Sequence, residues 1–556
     1  MNILKDLIEM MSTRPEAWAW AFWAPCFLLL LAATKWPGGG LRLGRLSWWA
    51  GALGVLALGI FGWFNYRYLT SNLYLNPMPV QISTVSWYFE QGHPLYPDVH
   101  SPEIYSMLYG PYLYIFTGTV EKLLGPSVFA PKLVGLLATL AMSGLLPLLL
   151  WRRGAKLFPA LFATGIFVCL IAANPFGEYL NRADNFIVLF VLIGAWAAYS
   201  PAKFAPFLIG AAMGVCVDLK AHAFIYFIPL AWIAWRTGHR WKGVLAALGT
   251  ALFFALLPFM AFSNISLKDY VETLRSATHH GLSPPDYVNV VVNAACLCLP
   301  FFVVIGLAHL QNAQSTAEAL RRQAGFMGWL VFASLLLLVP ASKNGSGPHH
   351  LLPMSIILLL LAVELTQAGP NLQWSSSPLA LGLYAMLASW VISCFGVGVL
   401  RSYQYAAYFK MREPWANSIQ ADVDAIQQKY GSDHLVLMGS GDNDHYEWTL
   451  FRPSLIFHGQ PVGIDPTAWM EWGFTGIPMP SLGQITEAMS ARRPGEKIIW
   501  LIPQGGPPFS MHNYYEKWVD GEYQPSPPAY DAKFRADFSQ AFHPIASTPY
   551  FDLYSN

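Results

Sequence analysis

The chain has 556 residues, of which 54% are hydrophobic and only 12% charged, with a formal net charge of +1. An ordinary soluble domain is excluded, because it carries about 25% charged residues. Without net basicity or basic runs, nucleic acid is also excluded as a partner.

Apolar blocks of the length a helix needs to cross roughly 30 Å of hydrocarbon fall near 17–35, 47–66, 131–151, 157–174, 184–200, 203–218, 221–236, 243–263, 287–309, 324–342, 350–367 and 378–400. They predict a mainly α, polytopic transmembrane bundle of about twelve spans. No small-residue cleavage site follows the first block, so residues 1–46 read as an anchor span and a cytoplasmic loop. Lys and Arg mark alternate connections: Lys35, Arg42 and Arg45; Arg152, Arg153 and Lys156; Lys203; Arg236, Arg240 and Lys242; Arg321 and Arg322. Those connections are expected inside. The connections 67–130, 175–183, 264–286, 343–349 and everything past 400 are then extracytoplasmic, and parity alone places 368–377.

The first outward loop, 67–130, is long, polar and rich in Tyr and Pro, and it carries Glu90, Asp98 and Glu103. Carboxylates set between two spans contribute nothing to anchoring, so they are candidate chemical groups. Tyr96 and Tyr109 are candidate cavity residues, although aromatic rings also suit the headgroup level. The next outward turn holds Glu178, Arg182 and Asp184 at the start of a span. Asp184 fits a helix cap, and the local density of charge also fits ion binding. Asp218, Lys220 and His222 lie where two spans meet, a depth at which a lysine is costly unless it snorkels or faces an anion. Lys343, His349 and His350 flank Gly345-Ser346-Gly347, a cationic turn before a span that could hold a phosphate.

Past Arg401 the composition turns polar, which marks a soluble domain over 403–556. Ala421–Tyr430 reads as the end of a helix, His434–Met438 as a strand, 439–441 as a tight turn, and Ser454–His458 as a second strand. Leu482–Ser490 follows as a helix and Lys497–Ile502 as a strand, giving a small α/β unit. The stretch from Gln504 to Asn556 reads as loop. All six cysteines, at 26, 169, 216, 296, 298 and 394, fall in predicted spans and read as small core hydrophobes.

Carboxylates in one outward loop and cations in several others suit transfer from a phosphate-linked donor. A carboxylate would take a proton from the acceptor while cations neutralise the departing phosphate. A divalent ion could share the second task, but no ligand spacing specifies one and the metal stays unknown.

This pattern resembles the GT-C superfamily of membrane glycosyltransferases, especially the branch with protein O-mannosyltransferases, lipid A aminoarabinose transferase and rhizobial core-sugar transferases. Three segments carry the likeness: Gly92-His93-Pro94-Leu95-Tyr96-Pro97-Asp98 with Tyr109-Gly110-Pro111; Arg182-Ala183-Asp184; and Gly345-Ser346 with His349-His350-Leu351-Leu352-Pro353. The resemblance implies a transmembrane catalytic domain over 47–402 and an outer-face cavity beneath the first loop. It also implies a polyprenyl-phosphate sugar donor, inverting transfer to an envelope lipid, glycan or protein, and no certain cofactor. A bacterial inner membrane is the expected location, with the C-terminal domain in the periplasm.

Members of this branch carry an acidic base early in the first loop, where this chain reads Tyr74-Leu75-Asn76-Pro77-Met78-Pro79. The base then falls to Asp98, Asp184, Glu103 or Glu90. Arg182, Lys220, Lys343, His349 and His350 would bind the donor phosphate, with Tyr96, Tyr109, Glu178 and His222 lining the acceptor side. A lipid-linked sugar transporter or flippase, or a catalytically inactive relative, are the alternatives.

Overall fold

The structure, a computed structural model, describes residues 43–106, 109–173, 181–343, 346–368, 377–473, 475–513, 517–519, 522–524 and 528–556. The helices of the bundle are α1 Leu43–Thr70, α2 Pro77–Glu90, α3 Pro111–Leu124, α4 Phe129–Arg152, α5 Leu157–Ala173, α6 Ala183–Ala198 and α7 Ala205–Leu219. They continue as α8 Phe227–Ala234, α9 Arg240–Ala261, α10 Leu267–Ala277, α11 Pro284–Gln311, α12 Ala313–Ala341, α13 Leu352–Ala368 and α14 Pro378–Tyr430. Every predicted apolar block from 47–66 onward falls on a helix; the block at 17–35 lies outside the described residues. Among the described residues, seven helical runs are long and apolar enough to cross a bilayer, with shorter apolar helices at Leu157–Ala172, Ala183–Ala198 and Ala205–Leu219.

Burial sorts these helices into inner and outer ones. α6 is buried along most of its length, whereas α9 exposes Leu245, Leu248, Leu252 and Phe253, and α12 exposes Val331, Leu335 and Val339. Such rows suit contact with hydrocarbon. α7 and α9 pack closely because Gly210 and Gly214 put no Cβ against the carbonyls of Ala247 and Ala251. Lys132 is buried in α4, where its ammonium donates to the carbonyls of Tyr68, Ser71 and Leu73 at 3.0, 2.6 and 2.8 Å. It thereby fixes the end of α1, whose last carbonyls have no helical partner.

The first outward loop is folded rather than extended. Asn76 caps α2 by accepting from Met78 N at 2.9 Å, and Gln81 Nε2 donates to the Tyr105 carbonyl at 2.9 Å. Asn264 Nδ2 holds the carbonyls of Phe89 and His93. The stretch from Ser101 to Ser106 is irregular, and the next helix starts at Pro111, where proline suits the first position.

The C-terminal part contains β1 His434–Met438, α15 Pro453–Phe457, α16 Pro466–Gly473, α17 Leu482–Arg492, β2 Lys497–Pro503, β3 Lys517–Val519, β4 Glu522–Gln524, α18 Ala532–Ala541, β5 His543–Ser547 and β6 Phe551–Ser555. The main sheet has the order β1-β2-β6-β5, with β1 and β2 parallel and the other pairs antiparallel. Three expectations are corrected. Ser454–His458 lies on a short helix and its C-cap, not a strand: Pro453 opens that helix, and a five-residue apolar run has no period of its own. The segment after Gln504 is not loop throughout, because α18, β5 and β6 complete the sheet, with Phe551, Leu553 and Ser555 alternating inward. Cys169 and Cys216 are buried, but Cys296 is exposed on α11 and Cys298 and Cys394 are half-buried, so these three are not core residues; Cys26 lies outside the described residues. The passage from bundle to C-terminal part has no break, since α14 runs on as a single 53-residue helix.

A clasp joins α17 to the first loop. Arg492 donates from Nε and a terminal nitrogen to Glu103 Oε1 at 2.9 and 2.6 Å, stands 3.2 Å from His93 Nδ1, and lies over the Tyr88 ring. Arg492→Ala is expected to lower amide protection across 93–106 about tenfold, since a charge-assisted pair contributes roughly 1.4 kcal/mol. Hydrogen exchange measures it, and unchanged protection would show that the clasp does not hold the loop.

Candidate active site

Four outward connections and the first loop meet at one place. Asp184 occupies the first turn of α6, where the helix dipole favours a carboxylate. Lys220 follows the end of α7 in extended backbone, so its side chain turns back toward α6. Its ammonium donates to Asp184 Oδ1 at 2.8 Å. Arg182 Nε lies 3.8 Å from Asp184 Oδ2, and Arg182 also donates to the Tyr109 hydroxyl at 2.9 Å. Tyr109 is held in turn through its carbonyl, which accepts from the Tyr96 hydroxyl at 2.8 Å. The three charged side chains are 7–9% exposed, so none can trade its protein partner for bulk water. Gly110 makes the approach possible: its N–H donates to the Leu219 carbonyl, and a Cβ there would fall on the Asp218 carbonyl.

These residues border a cavity of about 460 Å³. Its polar wall is Tyr109, Arg182, Lys220, His222, Thr278, His280, Lys343, Ser346, His349, His350 and Glu471, and Met78, Ala221, Leu274, Ala277 and Pro340 supply apolar surface. The imidazoles of His349 and His350 are 4.3 Å apart, and those of His222 and His350 4.8 Å. His350 Nδ1 is committed to the Gly347 carbonyl, whereas no partner is found among the described residues for His222 Nε2. Burial pushes His280 down to about 4, so it is neutral at neutral pH, 3.7 Å from Glu471 Oε2. Burial also draws Lys343 below the ordinary lysine range, and the Glu471 carboxylate partly holds it up. Arg182, Lys220 and Lys343 therefore face Asp184 and Glu471 alone among the described acidic groups at the site, an excess of positive charge in a dry setting. Such a site suits a small anion attached to an apolar body.

The sequence candidates divide. Arg182, Lys220, Lys343, His349, His350, His222 and Tyr109 line the cavity, with Asp184 and Tyr96 immediately behind. Three carboxylates of the first loop lie elsewhere: Glu90 pairs with Lys122 at 3.1 Å, Glu103 is held by Arg492, and Asp98 sits on an exposed turn capping His100 N. Glu178 lies outside the described residues. Asp98 forms, with Asp269 and Glu272, a grouping whose oxygens lie within 4.8 Å of one another, away from the cavity. Two titratable lining residues, His280 and Glu471, were not among the sequence candidates. His280 lies in the short turn Thr278–His280 that follows α10 within the connection 264–286, where no apolar block borders it to mark it out. Glu471 sits in the C-terminal part between Met470 and Trp472, and no local spacing ties it to a site built mainly from the bundle.

A bundle of membrane-length helices, a folded first loop over a cationic cavity and a small α/β unit at the C-terminus make up a fold that recurs among solved structures. No family model matches the chain, and no curated protein matches it significantly. Among solved structures, ArnT from Cupriavidus metallidurans in the apo state matches with a TM-score of 0.50 and 14% identity, covering 92% of this chain and 98% of that one. ArnT from the same organism bound to undecaprenyl phosphate matches at 0.48 and 14% identity, covering 91% and 98%. The arabinosyltransferase EmbB from Mycobacterium smegmatis matches at 0.39 and 17% identity, covering 61% and 32%.

Proposed function

We propose that the chain is a membrane-embedded glycosyltransferase that moves a sugar from a polyprenyl-phosphate donor to an envelope acceptor at the extracytoplasmic face. The observation that carries this reading is the convergence of Arg182, Lys220 and Lys343 on one partly apolar cavity beneath the first loop. Three cations there can hold a lipid phosphate and stabilise the second negative charge that it gains on leaving. The fold shared with ArnT supports the same class. A carrier is less well served: at the other end of the bundle Glu364 binds Arg153 and Arg236 at 3.6 and 3.8 Å, tying together the connections expected inside.

The test is undecaprenyl phosphate binding to the full-length protein in detergent, followed by release of the lipid phosphate from a panel of polyprenyl-phosphate pentoses and hexoses incubated with envelope membranes. Arg182→Ala and Lys343→Ala should each weaken binding about 10- to 100-fold, the value of a lost charge-assisted contact. Affinities equal to the wild type would remove the phosphate site.

Lys343 also sets a pH dependence. Because burial lowers its pKa, it loses its charge at a pH below that of an ordinary lysine, so affinity for the fully ionised phosphate should fall as pH rises into the alkaline range. Lys343→Arg, which keeps its charge, should bind with a flatter alkaline profile, and coincident profiles would exclude Lys343 from the contact.

A further inference from the structure

We infer that Glu471, a residue of the outer domain, is the general base that takes the proton from the acceptor, an inference that rests on the phosphate-donor reading above. A base must reach into the cavity, and Glu471 is the described carboxylate in its wall. Asp184 is bound to Lys220 and Arg182, so it serves the phosphate-binding cations. Glu90 and Glu103 are paired outside the cavity, and Asp98 faces solvent. Asp218 is buried and is not part of the cavity wall. Glu471 does line the cavity, with its side chain 12% exposed.

The fold fixes the carboxylate there. Asp465 caps α16 by accepting from Thr467 N and Ala468 N, both at 2.9 Å, and Arg452 is paired to it in the core. Two bonds then seat α16 on the first loop: Trp472 Nε1 donates to the Ser106 carbonyl at 3.1 Å, and Asp465 N to the Ile104 carbonyl at 2.8 Å. The nearby imidazole, His280, is neutral, so it offers Glu471 a polar neighbour without neutralising it. The first loop has no acidic residue over 71–89, and the outer domain fills that chemical gap from the opposite end of the chain.

In the transfer step a Glu471 oxygen accepts the proton of an acceptor O–H or N–H, and the acceptor's electron pair forms the bond to the anomeric carbon. The bond from that carbon to the phosphate oxygen breaks, and its electron pair stays on the phosphate. Polyprenyl phosphate leaves as a dianion against Arg182, Lys220 and Lys343, and the proton on Glu471 passes to water. The outer domain is then part of the catalytic apparatus rather than an appendage.

The experiment compares wild type, Glu471→Gln and Glu471→Ala as full-length proteins, measuring undecaprenyl phosphate binding and release of polyprenyl phosphate from the donor panel with envelope membranes as acceptor. Expected is a fall in kcat of about 100-fold or more in Glu471→Gln, the usual contribution of a general base, with binding within about threefold of wild type. Formate should restore part of the turnover of Glu471→Ala, which a purely structural role would not allow. An active wild type with an equally active Glu471→Gln overturns this assignment and leaves the donor reading standing, as does a Glu471→Ala variant that formate does not rescue. A wild type that neither binds the lipid phosphate nor releases it from any donor overturns both.

Discussion

Lys220→Ala should be the most damaging single substitution at the site, lowering stability by about 3–5 kcal/mol, because it strips a buried carboxylate of its closest partner. Asp184 is 7% exposed on its side chain and receives the Lys220 ammonium at 2.8 Å, while Arg182 stands 3.8 Å away. The remaining cation is too distant to replace that hydrogen bond. The measurement is thermal unfolding of the purified protein followed by size-exclusion fluorescence. The double variant Lys220→Ala/Asp184→Asn separates two roles of the lysine. Removing the stranded charge should restore most of the thermal stability, yet undecaprenyl phosphate binding should remain at least about tenfold weaker, since the cation is still missing. A single variant that melts with the wild type would show that Asp184 is hydrated or otherwise partnered, and the electrostatic description of the site would fail with it.

How much of this site the sequence disclosed depends on how each residue is embedded. Arg182, Lys220 and Lys343 stand out because each interrupts or borders an apolar block, where an unpaired charge is expensive and so signals a partner. Their convergence was partly legible as well, because basic residues in alternate connections assign these turns to one end of the bundle. The carboxylates of the first loop misled for the opposite reason. Glu90 and Glu103 lie in a polar loop, where a charge has no single meaning, and the residues that neutralise them, Lys122 and Arg492, are 32 and 389 positions away in sequence. Glu471 was illegible because its context is tertiary: α16 reaches the cavity only after β1, α15 and the first loop have placed it. The missed strands β5 and β6 are different. The alternation Phe551, Leu553, Ser555 was present in the sequence but obscured by a Pro- and aromatic-rich surround that reads as loop.

Gly110→Ala should cost about 2–3 kcal/mol and abolish measurable phosphate binding, although it adds a single methyl group. The backbone of Gly110 is extended, with φ −78° and ψ 169°, so the reason is not conformational freedom. It is contact: the ideal Cβ position coincides with the Asp218 carbonyl, which is backbone at the end of α7 and cannot rotate away as a side chain would. Relief requires the first loop to lift from α7. That movement would break the bond from Gly110 N to the Leu219 carbonyl and carry Tyr109, the hydroxyl partner of Arg182, away from the cavity. Lys220 is two residues beyond the collision, so the pair with Asp184 would shift too. Gly59→Ala is the control, since Gly59 lies within α1 with no atom within 4 Å of its Cβ position and alanine is the better helix former. It should melt at or above the wild-type temperature and bind undecaprenyl phosphate normally. If Gly110→Ala behaves like Gly59→Ala in both measurements, the loop does not rest on α7 as described, and the placement of Tyr109 and Arg182 at the cavity would have to be abandoned.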